Sequence, residues 1–219
     1  MKEKEIKQTD LDMTGIRERP KKGEKEQPYH MTSIVRKLFP DIEWRHNRNV
    51  IDRQGNKVNI KGKTPRPDFL STELGLIIEI DGDRKGMYKG HFSDFEKAQD
   101  DIERNKIYKD LDYKVIRIPP YVQLDSVMIK HYFNLEYAEK LYPAASEHGF
   151  AHPQISLPAM YCELGIERFE EDMKTLPLSV RDKIILTLND RIADLKNKGY
   201  TSEDAMKKVL PLSLWHYLK

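Results

Sequence analysis

The chain has 219 residues, of which 34% are charged, and its mean hydropathy is -0.73. Its 38 lysines and arginines nearly balance its 36 acidic residues, and the net charge of +2 excludes a strongly basic surface over the whole protein. No apolar run approaches the roughly 18 residues that a transmembrane helix requires, and the N-terminus lacks the apolar segment of a signal peptide. We therefore expect a soluble protein with one core and at most a small appended domain, and no membrane partner.

A single cysteine, Cys162, is present. It has no second cysteine in the chain with which to form a disulfide, which is typical of proteins from a reducing compartment. We therefore expect a cytoplasmic location. A lone cysteine is usually a small packed side chain, so we expect Cys162 to be structural.

The N-terminal region divides into an arm and a first helix. Residues 1–26 are rich in lysine and glutamate and lack hydrophobic periodicity, which predicts a flexible, charged arm. After it, apolar residues recur at helical spacing and predict an amphipathic helix that ends at Phe39-Pro40. These apolar residues are Met31, Ile34, Val35 and Leu38.

The next segments predict strands. Residues 42–46 alternate between apolar and polar side chains, and residues 50–51 and 58–60 flank a turn. Residues 66–70 and 76–81 then lead into and out of a tight turn at Glu73-Leu74-Gly75. Together these segments predict a meander whose last strand, rich in leucine and isoleucine, is buried.

That buried strand carries two acidic side chains. Glu79 and Asp81 alternate with Ile78 and Ile80, so both acids point to the same face, and Asp68 lies on the neighbouring predicted strand. Carboxylates this close repel one another, and a bound divalent cation is the usual remedy. The three acids therefore predict a divalent-metal site.

A helix and a strand follow the loop after residue 82. Ser93 or Asp94 is the predicted cap of the helix, and Asp101 flanks its expected buried stripe. The strand Tyr113–Ile118 ends at Pro119-Pro120. The order helix, strands, helix, strand predicts an α/β fold with a mixed β-sheet flanked by helices. Four residues are expected to point inward from the helix: Phe95, Ala98, Ile102 and Leu111.

The C-terminal part predicts further helices. Residues 124–141 form one, and residues 143–158, rich in proline and glycine, predict a linker. Residues 159–219 predict a small helical region, a C-terminal appendage that packs on the core or forms a homodimer contact; a helix-turn-helix is the alternative. The predicted organisation is therefore an arm (1–26), a core (27–142), a linker and a helical region.

The strand acids resemble the signature of a known family. Pro67-Asp68, followed after ten residues by Glu79-Ile80-Asp81, resembles the PD-(D/E)XK nuclease motif, with Pro-Asp on one strand and Glu-x-Lys on the next. Asp81 stands at the usual lysine position, and this departure resembles the very-short-patch-repair endonuclease branch, as do His91 and the segment Asp101–Arg104. The resemblance covers roughly residues 28–120 and implies a restriction-endonuclease-like fold.

The resemblance also implies an activity. It implies a metal-dependent DNA endonuclease that hydrolyses phosphodiester bonds, of a restriction, mismatch-repair-like or homing type. Asp68, Glu79 and the carbonyl of Ile80 would hold Mg²⁺, for which Mn²⁺ can substitute. An aspartate cannot copy the positive charge of a lysine, so the alternative is an inactive nuclease fold that binds nucleic acid or assembles with other proteins. The residues with implied catalytic roles are Asp68, Glu79, Asp81, His91 and Asp101.

The individual roles follow the same resemblance. His91 would be the general acid or base, and Asp101 would orient it or bind metal. Asp81 would bind a second metal ion or accept a proton from water, and Arg104 would neutralise part of the cluster. The alternative for the helix is that Asp101, Glu103 and Arg104 form ordinary pairs within it.

DNA is the partner that the resemblance implies. The basic residues of the arm are one candidate for phosphate contacts, and basic residues that flank the acids in sequence are another. The chain has neither a Gly-rich phosphate loop nor a cysteine–histidine spacing suited to zinc. The flanking basic residues expected to contact phosphates are Lys61, Lys63, Arg66, Lys85 and Lys89.

Overall fold

The structure is a computed structural model that describes residues 35–58, 64–81, 90–119, 121–122, 124–136 and 161–218. The predicted arm and linker lie outside these ranges, and residues 35–38 are helical. The strands are β1 (Arg45–His46), β2 (Phe69–Ser71), β3 (Leu76–Ile80) and β4 (Lys114–Ile118). The helices are α1 (Phe95–Asp110), α2 (Ser126–Phe133), α3 (Glu163–Thr175), α4 (Leu178–Asn197), α5 (Ser202–Val209) and a 3-10 helix (Leu212–Tyr217).

The four strands form one mixed sheet in the order β1-β2-β3-β4. The first three strands pair antiparallel, and β4 lies parallel to β3. A parallel neighbour requires a crossover connection, and α1 supplies it between β3 and β4. The predicted α/β class, with a mixed sheet flanked by helices, is therefore confirmed.

The β2–β3 hairpin forms around the predicted turn. Gly75 has a φ of +60°, in the left-handed region that glycine enters most easily. The register places Phe69 opposite Ile78. One step further along each strand, Asp68 lies opposite Glu79, so the hairpin itself brings two of the predicted acids together.

Apolar side chains cover both faces of this sheet. Phe69 and Ile78 belong to the larger cluster, which also contains residues of α3, α4 and the 3-10 helix. Leu70 and Ile77 point the opposite way into a smaller cluster. The C-terminal helices therefore share a hydrophobic core with the sheet. None of the described helices is long and apolar enough to cross a membrane.

Several elements are shorter than predicted. The predicted strand at residues 42–46 is reduced to β1, and residues 50–58 contain a single bridge between Ile51 and Lys57. The helix expected to run from residue 124 ends at Phe133, because Asn134 adopts a left-handed φ of 57°. At the end of the predicted helical region, α5 and the 3-10 helix are separate elements that divide at Pro211, whose nitrogen has no hydrogen to donate.

The orientation of α1 differs from the prediction. Its cap is Asp94, which accepts the backbone N–H three residues further on. Phe95 and Ile102, predicted to point inward, are 53% and 50% exposed, and that prediction is wrong. The buried face carries Ala98, Asp101 and Tyr108. The helix is rotated so that polar side chains, rather than the larger apolar ones, face the sheet.

This rotation is testable by the stability of two alanine variants. Ile78→Ala removes a side chain with no solvent exposure and should lower the free energy of unfolding by about 2–5 kcal/mol. Ile102→Ala should change it by less than about 1 kcal/mol, since half of that side chain is in solvent. Urea denaturation measures both. Equal losses in the two variants would contradict the orientation of α1.

Candidate active site

Among the described residues, four carboxylates gather near the carboxyl end of β3. Glu79 lies on β3 and Asp81 just after it, Asp68 precedes β2, and Asp101 lies on α1. Glu79, Asp81 and Asp101 are only 4%, 2% and 5% exposed. Burial of a carboxylate is costly unless hydrogen bonds or opposite charges compensate for the lost water. The partners of each acid therefore define what the site can do.

The carboxylates of Asp68 and Glu79 each accept a backbone hydrogen bond from the other's side of the hairpin. The backbone N–H of Ile80 donates to Asp68 Oδ2 at 2.8 Å, and the N–H of Asp68 donates to Glu79 Oε2 at 3.2 Å. Burial raises the pKa of Asp68 above its ordinary value, and burial raises the pKa of Glu79 to about 7. The three residues predicted to hold Mg²⁺ are therefore adjacent, with a carboxyl group among them that titrates near neutral pH.

The other oxygen of Glu79 faces α1. The hydroxyl of Tyr108 donates to Glu79 Oε1 at 2.9 Å, and Arg104 Nη2 contacts the same oxygen. Arg104 Nη2 also donates to the Tyr108 hydroxyl at 3.1 Å. Burial raises the pKa of Tyr108, so its hydroxyl keeps its proton and remains a donor. Arg104 therefore lies against the acids of the cluster and also pairs within its own helix, since its Nη1 is 3.6 Å from Asp101 Oδ1.

Asp81 lies between two guanidinium groups. Arg117 Nη1, on β4, is 2.6 Å from Asp81 Oδ1, and Arg168 Nη2, on α3, is 2.6 Å from Asp81 Oδ2. Burial alone would raise the pKa of Asp81, but the charges of Arg117 and Arg168 hold it well below its ordinary value. Asp81 is therefore an ionised carboxylate held from two sides.

His91 bridges two of the acids. Its Nδ1 lies 2.5 Å from Asp101 Oδ2 and 3.5 Å from Asp81 Oδ1. Asp81, His91 and Asp101 each offer one ligand atom, and these atoms all lie within 4.8 Å of one another. Two carboxylates and an imidazole are a candidate ligand set for a divalent cation, which would replace the hydrogen bond between His91 and Asp101. The nitrogen in the set suits a first-row transition metal better than Mg²⁺, which prefers oxygen ligands.

A pocket of about 610 Å³ opens beside this cluster, between α1 and α3. His91, Asp101, Arg117 and Arg168 are part of its lining, so the cluster can be reached from solvent. Acidic side chains of α3, such as Glu171, also line the pocket. An entering group therefore meets charges of both signs.

The predicted catalytic residues lie together in two groups. Asp68 and Glu79 form one group, and Asp81, His91 and Asp101 form the other. Arg117 connects them, since its Nη2 is 3.1 Å from Asp101 Oδ1 and 4.0 Å from Glu79 Oε1.

Of the predicted phosphate contacts, Arg66 lies in the described part of the chain. It is exposed, and its Nε donates to Asn49 Oδ1 at 2.9 Å. Its contact with DNA stays a prediction. The other predicted contacts lie outside the described residues: Lys61, Lys63, Lys85 and Lys89.

The sequence prediction missed three members of the site: Tyr108, Arg117 and Arg168. Arg117 carried a signal, because a charged residue between Ile116 and Ile118 in a predicted strand needs a partner. The register places it opposite Glu79. Arg168 carried no such signal, since its helix lies far along the chain and only packing brings it to Asp81.

The arginines also change the argument for a metal ion. Repulsion among the acids suggested that a divalent cation must lie between them. Arg104, Arg117 and Arg168 already supply compensating positive charge. Repulsion alone therefore no longer requires a metal ion, and the case for one depends on the ligand geometry of Asp81, His91 and Asp101.

No protein-family model matches this chain, and no match was found among the curated proteins or the solved structures. The resemblance to PD-(D/E)XK nucleases therefore stays a prediction based on the motif residues and their arrangement.

The pKa of Glu79 predicts a pH-dependent stability. Between pH 4.5 and about 7 the unfolded chain releases a proton that the native Glu79 retains, so the free energy of unfolding falls as the pH rises. The loss is about 3 kcal/mol. Glu79→Gln does not titrate, so unfolding in urea at pH 5 and pH 8 should show the variant gaining most of this amount relative to the wild type. A difference that is independent of pH would contradict the burial of an ionisable group here.

Proposed function

We propose that the protein is a divalent-metal-dependent DNA endonuclease with a restriction-endonuclease-like fold. The observation that carries the proposal is the convergence of ligand atoms from Asp81, His91 and Asp101 within 4.8 Å, beside the buried Asp68–Glu79 pair. The hairpin supports the resemblance, since it brings the Pro-Asp and the Glu-x-Asp parts of the motif together at neighbouring ends of β2 and β3.

A metal ion fits the site by its donor set. Asp81, His91 and Asp101 would hold it, and the oxygens of Asp68, Glu79 and Ile80 are the alternative set for Mg²⁺. When bound, a divalent ion lowers the pKa of water and neutralises charge on a phosphate group. The pocket between α1 and α3 gives the ion a path from solvent.

The chain's own residues supply proton transfer. When the ion lies on the alternative set of Asp68, Glu79 and Ile80, His91 carries no metal; Asp101 then engages Nδ1 of His91, which leaves Nε2 as the nitrogen that exchanges protons. An imidazole held in one orientation by a carboxylate is a suitable general acid or base near neutral pH. His91 is therefore our candidate for this role, with Asp101 as its positioning residue.

A second candidate function is supported by the arginine contacts. Arg117 and Arg168 occupy Asp81, and Arg104 occupies Glu79, so the acids are compensated without any ion. A fold of this kind can persist as a nucleic-acid-binding or assembly module after catalysis is lost. Activity and metal binding distinguish this candidate from the enzyme.

If the protein is this endonuclease, it should cleave plasmid DNA with Mg²⁺ or Mn²⁺ and should lose this activity in EDTA. Asp68→Asn, Glu79→Gln and Asp101→Asn should each reduce the rate by at least about 10²-fold, because each removes a charge at the reacting centre. Gel assays of nicked and linear plasmid measure the rate. Asp100→Asn, an exposed neighbour on the same helix, is the matched control and should retain activity.

The decisive negative result is an inert wild type. If folded protein cuts neither duplex, mismatched nor branched DNA with either metal ion, the module becomes the preferred function.

Metal binding is predicted independently of activity. Isothermal titration calorimetry should show that Mn²⁺ binds the protein more tightly than Mg²⁺, because His91 offers nitrogen. Asp101→Asn should weaken Mn²⁺ binding by at least about 10-fold, whereas Asp100→Asn should not change it. His91→Gln separates two roles, since binding falls if His91 is a ligand and persists if it only transfers protons. Equal affinity of the wild type and Asp101→Asn for Mn²⁺ would exclude this trio as the metal site.

A further inference from the structure

The site extends beyond the region of the motif resemblance through one side chain of α3. Arg168 reaches Asp81 Oδ2 at 2.6 Å, although its helix begins more than forty residues after the end of β4. The side chain of Asp81 is 1% exposed and that of Arg168 is 22% exposed. Arg117 already holds the other oxygen of Asp81 from β4. α3 therefore holds the second oxygen of Asp81, and the sheet, through Arg117, holds the first.

The same arginine contacts the loop that carries His91. Its guanidinium lies 4.6 Å from the centre of the Phe92 ring, within the range of a cation–π interaction. Phe92 is buried and directly follows His91 in the chain. A single side chain of α3 thus contacts both a candidate metal ligand and the neighbour of a second one.

The backbone of α3 approaches this loop too closely for any residue but glycine at one position. A Cβ atom on Gly165 would lie 1.9 Å from the carbonyl oxygen of Phe92. The N–H of Cys162 donates to the same carbonyl at 2.9 Å. The backbone at the start of α3 therefore packs directly against the backbone of the loop, with no room for a side chain at Gly165.

Further contacts anchor α3 one turn beyond Arg168. The hydroxyl of Tyr121 donates to the carboxylate of Asp172. Phe169 packs edge-on against the Tyr121 ring, which in turn packs against Phe92. These contacts make α3 and the loop before α1 one packed unit rather than two elements that touch at an edge.

We propose that α3 is a wall of the active site and that Arg168 is a positioning residue, which fixes Asp81 directly and the His91 loop through Phe92. The catalytic consequence of this inference rests on the proposed function, whereas the contact between Arg168 and Asp81 does not. This role of Arg168 would make part of the C-terminal helical region necessary for the chemistry of the motif residues.

Four variants test the proposal by kinetics on plasmid DNA with Mn²⁺. Arg168→Gln should lower kcat on the order of 10²-fold with little change in KM, because a misplaced Asp81 affects the reacting geometry rather than DNA binding. Arg168→Lys should recover part of kcat, since it restores the charge. Gly165→Ala should lower kcat without changing any charge. Lys174→Gln is the control on the same helix, because its pair with Glu171 is exposed.

A thermal double-mutant cycle separates this proposal from the proposed function. Arg168→Gln should lower Tm in the wild type and should lower it much less when Asp81 is already asparagine, because the partner charge is gone. This result would support the contact even if the wild type proved inert as a nuclease. An equal loss of Tm in both backgrounds, or an unchanged kcat in folded Arg168→Gln from an active wild type, would overturn the role of Arg168.

Discussion

Compensation of buried negative charge is the constraint on which this structure depends. Glu79 and Asp81 are nearly inaccessible to water, and each would be strongly destabilising without a partner. Arg104, Arg117 and Arg168 supply the partners from α1, β4 and α3. Removing one member would leave a desolvated charge behind. The orientation of these three elements around β3 is therefore tied to the chemistry of two strand residues.

The negative charge of the acids can be compensated in two ways. With the guanidinium groups in place, the acids form a closed ionic network. With a divalent ion on Asp81, His91 and Asp101, the ion would compete with Arg117 for Asp81 Oδ1, the oxygen nearer His91, while Arg168 keeps Oδ2. Metal binding and the arrangement of the arginines are thus coupled. In the proposed enzyme the metal ion would bind Asp81, whereas in an inactive module the arginine contacts would remain.

The local part of this arrangement could be predicted well. The turn at Gly75 and the alternation of Leu76–Ile80 predict the hairpin, and the hairpin places Asp68 opposite Glu79. The face of α1 could not be predicted from its apolar residues. A helix with few apolar side chains is oriented by its polar contacts, and Asp101 and Tyr108 point to the site while Ile102 stays half-exposed.

The sequence by itself therefore determined which acids share one face of the sheet and where the strands turn, because the direction of a side chain relative to its own backbone follows from local periodicity. Only the tertiary structure decided which cations meet those acids. Arg168 reaches Asp81 because Gly165 allows α3 to pack against the Phe92 backbone. Such a meeting depends on how distant segments pack, and no pattern within either segment encodes it.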